Sequence, residues 1–317
     1  MSSSLYGAVV VITGASSGIG RETALQMAKN GARLVLAARD EDALNDVVHA
    51  CNECGAEAFA VPTDVSEESE VEALRDAALA KLGVIDVWVN DAASYMMGRV
   101  DAVPGDAVKR LFEVNVLGVI NGSRAALTHF RQRNKGVIIN IGSVAGKAPY
   151  ALASAYCATK HAVHGFTEAL RQELATTPIQ ACLIVPATVD TPLFDHAANF
   201  TGRTIEAMRP YYPAERVAEA IVDCAIYPKR EVLVGAAPRV LAAMSATPGY
   251  EKMQPKLIER EHLGREARGP SSGNLYLPEE PHQVEGHWRE RKPLLDFARM
   301  KEWLAERGRR LPLAFGK

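Results

Sequence analysis

The chain has 317 residues, of which 48% are hydrophobic and 23% are charged, so it can bury a substantial core. Its net charge of −2 gives no general attraction to nucleic acid. The five cysteines are scattered and do not suggest a disulfide framework, and we interpret Cys51 and Cys54 as structural thiols. The sequence shows no leader-like start and no run of about 18 apolar residues, so we expect a cytoplasmic protein.

A buried strand over 8–12 leads into the glycine-rich turn Thr13-Gly-Ala-Ser-Ser-Gly-Ile-Gly20, and a helix starts near Ile19. The glycines permit a tight turn and a close approach of the backbone to a ligand. The start of the helix would present free N–H groups and a positive dipole end to a phosphate. This order is the context of a dinucleotide-binding site, although the spacing differs from the commoner G-x-G-x-x-G.

The second strand, over 33–38, is followed by Arg39 and not by the acidic residue that binds a ribose 2′-hydroxyl. An arginine at this point accommodates a 2′-phosphate, so the pattern favours NADP(H) over NAD(H), with Ser16 as a further hydroxyl donor. The alternative is an ordinary surface arginine beside the acidic residues 40–42.

Strand and helix patterns continue to alternate, which predicts a parallel sheet. We expect strands over 56–61 and 85–89, and a long helix over about 106–133. Asp64 follows the third strand, where it would meet an adenine amino group or act only as a turn or cap residue. Asn115 lies on an apolar face of the long helix, where it is either a structural bridge or part of a polar relay.

Ser143 follows a short apolar run over 136–142, at the sheet edge where open α/β sheets bind ligands. Tyr156 and Lys160 stand four apart in a predicted helix over 154–176, so their side chains leave one face. A lysine ammonium beside a phenol would lower the tyrosine pKa toward neutrality. Together these residues predict a tyrosine general acid/base, whereas the pair alone would indicate an ordinary helix-surface contact.

Several ordered motifs over about residues 5–235 resemble those of the short-chain dehydrogenase/reductase family. They are Thr13-Gly-x3-Gly-Ile-Gly20, Asn90-x-Ala92, Asn115-Val-x-Gly118, Ser143, Tyr156-x3-Lys160 and Pro186-x4-Thr191. The resemblance implies an α/β fold with a single Rossmann-like, doubly wound parallel sheet of about seven strands flanked by helices. It also implies reversible hydride transfer between a nicotinamide cofactor and a small-molecule carbonyl or alcohol, an EC 1.1.1 type of activity.

The resemblance implies roles for single residues. Tyr156 would protonate the carbonyl oxygen, Lys160 would lower its pKa and bind the nicotinamide ribose, and Ser143 would hydrogen-bond the substrate oxygen. Asn115 would hold a water that links Lys160 to solvent, and Thr191 would meet the nicotinamide carboxamide. No metal is expected, and the implied cofactor-binding residues are Gly14, Ser16, Ser17, Gly18, Ile19, Gly20, Arg39, Asp64, Val65, Asn90, Ala92, Tyr156, Lys160, Pro186, Val189 and Thr191.

The sequence departs from the family pattern beside the cofactor. It has Asp91 and Ala93 where the family usually has Asn and Gly, and Ala187 where the family has Gly. A buried Asp91 would need partners, and a β-carbon at Ala93 could crowd the sugar that Asn90 helps to fix. Because the catalytic residues are intact, we interpret these departures as tuning.

We divide the chain into a catalytic domain over 1–235 and a C-terminal extension over 236–317. Residues 191–212 would form a substrate lid whose apolar and aromatic content favours an apolar substrate, or equally a subunit interface. In the extension, a predicted amphipathic helix over 290–305 would pack on the core or on a partner in a homodimer or homotetramer. Peripheral contact of this basic segment with an anionic membrane is the less favoured alternative.

Two other classes of function stay open from the sequence. A noncatalytic NADP-binding sensor or scaffold would keep the glycine-rich turn but could discard the catalytic residues, which are all present. A nucleotide-sugar epimerase or dehydratase favours G-x-x-G-x-x-G and a larger substrate domain, and the sequence shows neither.

Overall fold

Seven parallel strands form the central sheet of the computed structural model, which describes residues 5–235, 249–278 and 286–288. In chain order the strands are β1 (Val9–Thr13), β2 (Arg33–Ala38), β3 (Ala58–Pro62), β4 (Val87–Asn90), β5 (Val137–Ile141), β6 (Gln180–Pro186) and β7 (Glu231–Val234). Their order in the sheet is β7-β6-β5-β4-β1-β2-β3. The chain therefore builds outward from β1 to β3 and returns to the other side of β1 with β4, which confirms the predicted doubly wound α/β fold.

Helices cover both faces of the sheet. They are α1 (Gly18–Lys29), α2 (Glu41–Glu53), α3 (Glu68–Leu82), α4 (Gly105–Phe112), α5 (Gly118–Arg133), α6 (Ser154–Glu173), α7 (Ala214–Ile226) and, in the extension, α8 (Tyr250–Glu261). Side chains of α1, α2 and α7 pack in one apolar cluster, and those of α3, α5 and α6 pack in another. Alternate residues of β1 enter the two clusters, since Val10 faces the first and Val11 the second.

The helix predicted over 106–133 is interrupted. It starts at Gly105, changes to a π-helical turn over Glu113–Leu117, and resumes as α5. The helix predicted over 154–176 ends earlier, at Glu173. A π-helical turn inside a long helix frequently marks a functional site, and this one contains Asn115.

Residues 191–212, the predicted lid and here called the lid, share one apolar cluster with the extension. The lid contains the 3₁₀ helix Pro192–Phe194 and the short strand Arg203–Ile205, which pairs antiparallel with the extension strand Leu263–Ala267. Ile258 and Trp288 of the extension pack in the same cluster. The described parts of the extension therefore pack against side chains of residues 95–211, whereas the helix predicted over 290–305 lies outside the described residues.

Candidate active site

A cleft runs along the carboxyl edge of the sheet, where the strand order reverses between β1 and β4. Most of the residues implied by the sequence motifs line it: Gly14, Ser16, Ser17, Gly18, Ile19, Arg39, Asp64, Val65, Ala92, Ser143, Tyr156, Lys160, Pro186, Val189 and Thr191. Gly20, Asn90 and Asn115 lie behind this lining. The fold thus brings the glycine-rich turn and the tyrosine-lysine pair to one cavity.

The glycine-rich turn is shaped for a ligand that approaches the backbone. Gly14 has a φ of +73°, and a β-carbon there would lie 2.7 Å from the backbone nitrogen of Ala92. A β-carbon at Gly20 would lie 2.2 Å from the carbonyl oxygen of Gly14. The N-cap residue Ser17 makes no side-chain capping hydrogen bond within the described structure, so its hydroxyl does not occupy the first N–H groups of α1, and the Gly20 N–H meets the Asp91 carboxylate. The residues present therefore fit the pyrophosphate of a dinucleotide.

Tyr156 lies on α6 with its side chain buried beside Ser143 and Lys160. The Ser143 hydroxyl is hydrogen-bonded to Tyr156 and also accepts a hydrogen bond from the backbone of Ala145 at 3.1 Å. Lys160 Nζ lies 5.8 Å from the centroid of the Tyr156 ring and donates to the carbonyl oxygen of Ile141 at 3.1 Å. The three side chains thus lie close together in the cleft.

The electrostatics of Tyr156 differ from the sequence expectation. Burial raises the tyrosine pKa above its ordinary value, and the hydrogen bond from Ser143 only partly offsets this effect. Burial also lowers the pKa of Lys160 to about 8, and the nearby Asp91 carboxylate opposes that shift. Burial is thus the largest influence on the tyrosine pKa and Lys160 is not among the groups that shift it, so the lowering by Lys160 implied by the sequence stays a prediction.

Asn115 connects the π-helical turn to the catalytic helix. Its side-chain oxygen accepts a hydrogen bond from Ser94 N at 2.8 Å, and its nitrogen donates to Ser94 O at 2.9 Å. The same nitrogen donates to Thr159 Oγ1 at 3.2 Å, next to Lys160. The Asn115 side chain therefore forms a structural bridge, and its part in a polar relay stays a prediction.

Asn90 occupies a buried polar network and not the cleft. Its side chain donates to Asn140 Oδ1 at 2.8 Å and accepts from Trp88 Nε1 at 2.8 Å. Asn140 in turn donates to Thr167 Oγ1 on α6 at 2.9 Å. The Asn90 side chain therefore lies away from the cleft, and the ribose contact implied for this residue stays a prediction.

The next residue, Asp91, does line the cleft. Its carboxyl is half-buried, and burial raises its pKa to about 7. The charge of Lys160 and the backbone N–H of Gly20 oppose that rise but do not cancel it. The family departure at position 91 thus places an ionisable group beneath the glycine-rich turn.

The extension contributes to the cleft at the end of β2, which the sequence did not predict. Arg39 Nη1 donates to the carbonyl oxygens of Leu275 at 3.1 Å and Tyr276 at 3.0 Å, and Nη2 donates to that of Asn274 at 2.6 Å. Asn274 and Pro278 also line the cleft. No side-chain motif signals these contacts, because every residue has a main-chain carbonyl.

An aromatic group borders the catalytic tyrosine. The Tyr95 ring meets the Tyr156 ring edge-on, with the centroids 4.7 Å apart, and Phe194 of the lid meets Tyr95 at 5.2 Å. His262 of the extension hydrogen-bonds the Tyr95 hydroxyl through Nε2 at 2.6 Å. Burial lowers the pKa of His262 to about 3, so this histidine is neutral at physiological pH. Its sequence spacing gave no sign of this contact.

Two further observations bear on the site and the chain around it. Across the described ranges, no group of three or more His, Cys, Asp or Glu side chains could hold a metal ion. In the same residues, every helix is too short or too polar to cross a membrane.

The fold and the cleft define a Rossmann-type nucleotide-binding protein with a tyrosine-lysine-serine site. The family profile described as short chain dehydrogenase matches residues 8–200. The Bacillus subtilis (strain 168) protein named uncharacterized oxidoreductase YxnA is 36% identical over 277 residues, which cover 84% of this chain and 77% of that protein. Dehydrogenase/reductase SDR family member 7 of Mus musculus is 37% identical over 206 residues, covering 63% of this chain and 60% of that protein.

A solved structure shows the same architecture. The short chain dehydrogenase/reductase SDR from Burkholderia phymatum, in complex with NAD, superposes with a TM-score of 0.70 at 29% sequence identity. The match covers 84% of this chain and 99% of that chain. The chain therefore belongs to the short-chain dehydrogenase/reductase family and is an oxidoreductase.

Proposed function

We propose that the protein transfers a hydride between NADP(H) and a carbonyl or secondary alcohol, with Tyr156 as the general acid/base. The observation that carries this proposal is that Tyr156, Ser143 and Lys160 line the same cleft as the glycine-rich turn. The nicotinamide group would supply or accept the hydride when bound. The family membership and the NAD complex of the Burkholderia protein support this chemistry.

The protein side chains would manage the proton. Ser143 and Tyr156 would hold the substrate oxygen between their hydroxyls. Because burial raises the pKa of Tyr156, its phenol is protonated near neutral pH and can donate during carbonyl reduction. Lys160, with a pKa of about 8, is mostly charged at that pH and would stabilise the phenolate that the donation leaves. Asn115 would keep α6 at the correct distance through its bond to Thr159.

The substrate would be apolar. Leu193 and Phe194 line the cleft together with Tyr156, and they belong to or pack against the same apolar cluster as the Tyr156 ring. An apolar group next to the reacting carbon gains free energy from leaving water, at about 25 cal/mol for each Å² buried. We infer a ketone, or the matching secondary alcohol, that carries a hydrocarbon or aromatic substituent.

The preference for NADP(H) is supported by the end of β2. Arg39 and Asp40 both line the cleft there, and the Asp40 carboxylate caps α2 by accepting a hydrogen bond from the backbone of Ala43 at 3.0 Å. A guanidinium binds a 2′-phosphate with a charge-assisted hydrogen bond of about 1.5 to 3 kcal/mol. This corresponds to a preference of roughly 10- to 150-fold for NADPH over NADH.

A homodimer or homotetramer in the cytoplasm stays a prediction. Light scattering of the purified full chain would measure the assembly mass, and fractionation of cells would locate the protein. A monomer, or a protein that sediments with membranes, would contradict these expectations.

The test of the catalytic role is Tyr156→Phe. Turnover of NADPH with a panel of apolar ketones should fall by about 10²- to 10⁴-fold, because the acid/base group is lost. NADPH affinity and the melting temperature should stay close to wild type, since Phe keeps the ring. Tyr227→Phe is the matched control, because Tyr227 is 58% exposed on the surface. Near wild-type turnover of Tyr156→Phe would refute the role, and a wild type that binds NADPH without any turnover would favour a sensor or scaffold.

A further inference from the structure

Residues 271–276 of the extension, here called the strap, cross the cleft from the lid to the end of β2. On the lid side, Ser271 and Asn199 exchange main-chain hydrogen bonds of 2.9 and 2.8 Å. The backbone N–H of Asn274 donates to the carbonyl oxygen of His196 at 3.0 Å. The carbonyls of residues 274–276 then meet Arg39. The strap therefore joins the substrate side of the cleft to its opposite end.

The strap holds the Arg39 guanidinium through three of its five N–H groups. Nη1 uses both of its hydrogens, and Nη2 uses one. In the described part of the chain, no hydrogen bond uses the Nε hydrogen or the second Nη2 hydrogen of Arg39. A ligand can therefore accept both. A free arginine side chain samples many rotamers, whereas this one is already fixed at the wall of the cleft.

The strap fixes the Arg39 charge without neutralising it. Main-chain carbonyls are uncharged acceptors, and in the described part of the chain Arg39 forms no ion pair. The neighbouring Arg110, by contrast, pairs with Asp64 and lies 3.8 Å from Glu113. The Asp64 carboxylate favours the Arg39 charge only in part, because burial still lowers the arginine pKa, and an anionic ligand would offset the remaining cost of the half-buried guanidinium.

We propose that the strap is a specificity element, which selects a 2′-phosphorylated dinucleotide by holding Arg39 in the orientation that receives the phosphate. This inference rests on the proposed use of NADP(H). Discrimination then depends on the C-terminal extension as well as on Arg39. Losing the strap contacts would oblige the ligand to order one rotamer-rich side chain, a cost that weakens binding by roughly 2- to 12-fold.

A single substitution displaces the strap. Gly273 has a φ of +49°, and a β-carbon there would lie 2.3 Å from the carbonyl oxygen of His196. Gly273→Ala therefore pushes the strap away from the lid. Gly249→Ala is the matched control, because Gly249 is also in the extension with a positive φ of +86° but has nothing within 4 Å of its β-carbon position.

The measurement is the dissociation constant of adenosine 2′,5′-bisphosphate and of 5′-AMP, by calorimetry on the full chain. These fragments report the adenosine end alone. In Gly273→Ala, affinity for the bisphosphate should fall by roughly 2- to 12-fold while affinity for 5′-AMP stays unchanged. Gly249→Ala should change neither constant. In an Arg39→Ala background, Gly273→Ala should have no further effect, because the strap acts through that arginine.

The outcomes separate the two proposals. A wild type that binds both fragments equally would overturn NADP(H) preference and the strap inference together. A wild type that prefers the bisphosphate, loses the preference in Arg39→Ala and keeps it in Gly273→Ala would overturn the strap inference alone. An equal loss for both fragments in Gly273→Ala would also overturn it, since the effect would then be a general distortion.

A second measurement needs no strap variant. If the strap strengthens phosphate binding through Arg39, then phosphate binding at Arg39 must stabilise the strap to the same extent. The bisphosphate should therefore slow hydrogen exchange of the strap amides in the wild type more than 5′-AMP does, and Arg39→Ala should remove the difference. Equal protection by the two ligands at saturation would overturn the inference.

Discussion

Asp91→Asn removes an ionisable group that burial disfavours. The carboxyl of Asp91 has its pKa raised from 3.8 to about 7, because its burial penalises the charge more than Lys160 and Gly20 stabilise it. A folded-state pKa above the unfolded value means that the native state binds the proton more tightly. The wild type therefore loses stability as the pH rises from 3.8 to about 7, and the loss is complete above that interval. Asparagine, which cannot ionise, avoids the loss.

The size of the effect follows from the width of that interval. Full enclosure of the Asp91 carboxyl corresponds to roughly 4 kcal/mol, at 1.36 kcal/mol for each pH unit. The residue keeps part of its surface open to the cleft, so we expect about half of this value, roughly 2 kcal/mol. The free energy of unfolding of Asp91→Asn, compared with wild type, should therefore rise by about 2 kcal/mol between about pH 4 and pH 8.

The assay is urea unfolding of both proteins across that pH range. Asp46→Asn is the control, because Asp46 is exposed on α2. The same substitution at position 91 removes the carboxylate that raises the pKa of Lys160, so the lysine pKa should fall further and the alkaline limb of the activity profile should move to lower pH. If the free energies of unfolding of Asp91→Asn and wild type change with pH in parallel, the reasoning is refuted. Asp91 would then have the same pKa in the folded and unfolded states.

Two further substitutions test other parts of the cleft. Gly20→Ala places a β-carbon 2.2 Å from Gly14 O. The resulting strain of about 1 to 3 kcal/mol should weaken NADPH binding by roughly 5- to 150-fold, measured by fluorescence titration. Gly165→Ala, which has open space around it, is the control, and unchanged affinity in Gly20→Ala would show that the turn does not cradle the cofactor. His262→Phe removes the hydrogen bond to Tyr95 and should cost about 1 to 3 kcal/mol of stability near pH 7. The histidine pKa is lowered from 6.5 to about 3, so the wild type loses stability as the pH falls through that interval. The difference in free energy of unfolding between wild type and His262→Phe, measured by urea unfolding, should therefore shrink on acidification. A difference that stays constant would contradict this.

The sheet and the cleft could be predicted from the sequence because their signals are local. Apolar runs, the glycine-rich turn and the i, i+4 spacing of Tyr156 and Lys160 each depend on a few adjacent residues. The predicted helix around Asn115 missed a π-helical turn, in which Asn115 forms tertiary hydrogen bonds to Ser94 and Thr159. Periodicity carries no information about such bonds.

Other features of the site arise only in three dimensions. The raised pKa of Tyr156 depends on how completely the chain encloses it, which a sequence motif does not report. Asn90 and Asp91 are adjacent, but the first enters a buried network and the second lines the cleft. The contact of Arg39 with residues 274–276 uses main-chain carbonyls from a distant part of the chain, so no residue type at those positions could have revealed it.

The buried amide pair of Asn90 and Asn140 fixes how two strands align. These residues are direct partners in β4 and β5, whose other side chains are apolar on both faces. In such strands the hydrophobic pattern hardly distinguishes one alignment from the next, because a slip of one residue exchanges one apolar side chain for another. The slip would, however, separate the two amides and leave each without its partner, at about 1 to 3 kcal/mol per unsatisfied group. Since β4 and β5 end at the cleft, this pair also fixes the relative placement of Asp91 and Ser143, which follow the two strands and line the cleft.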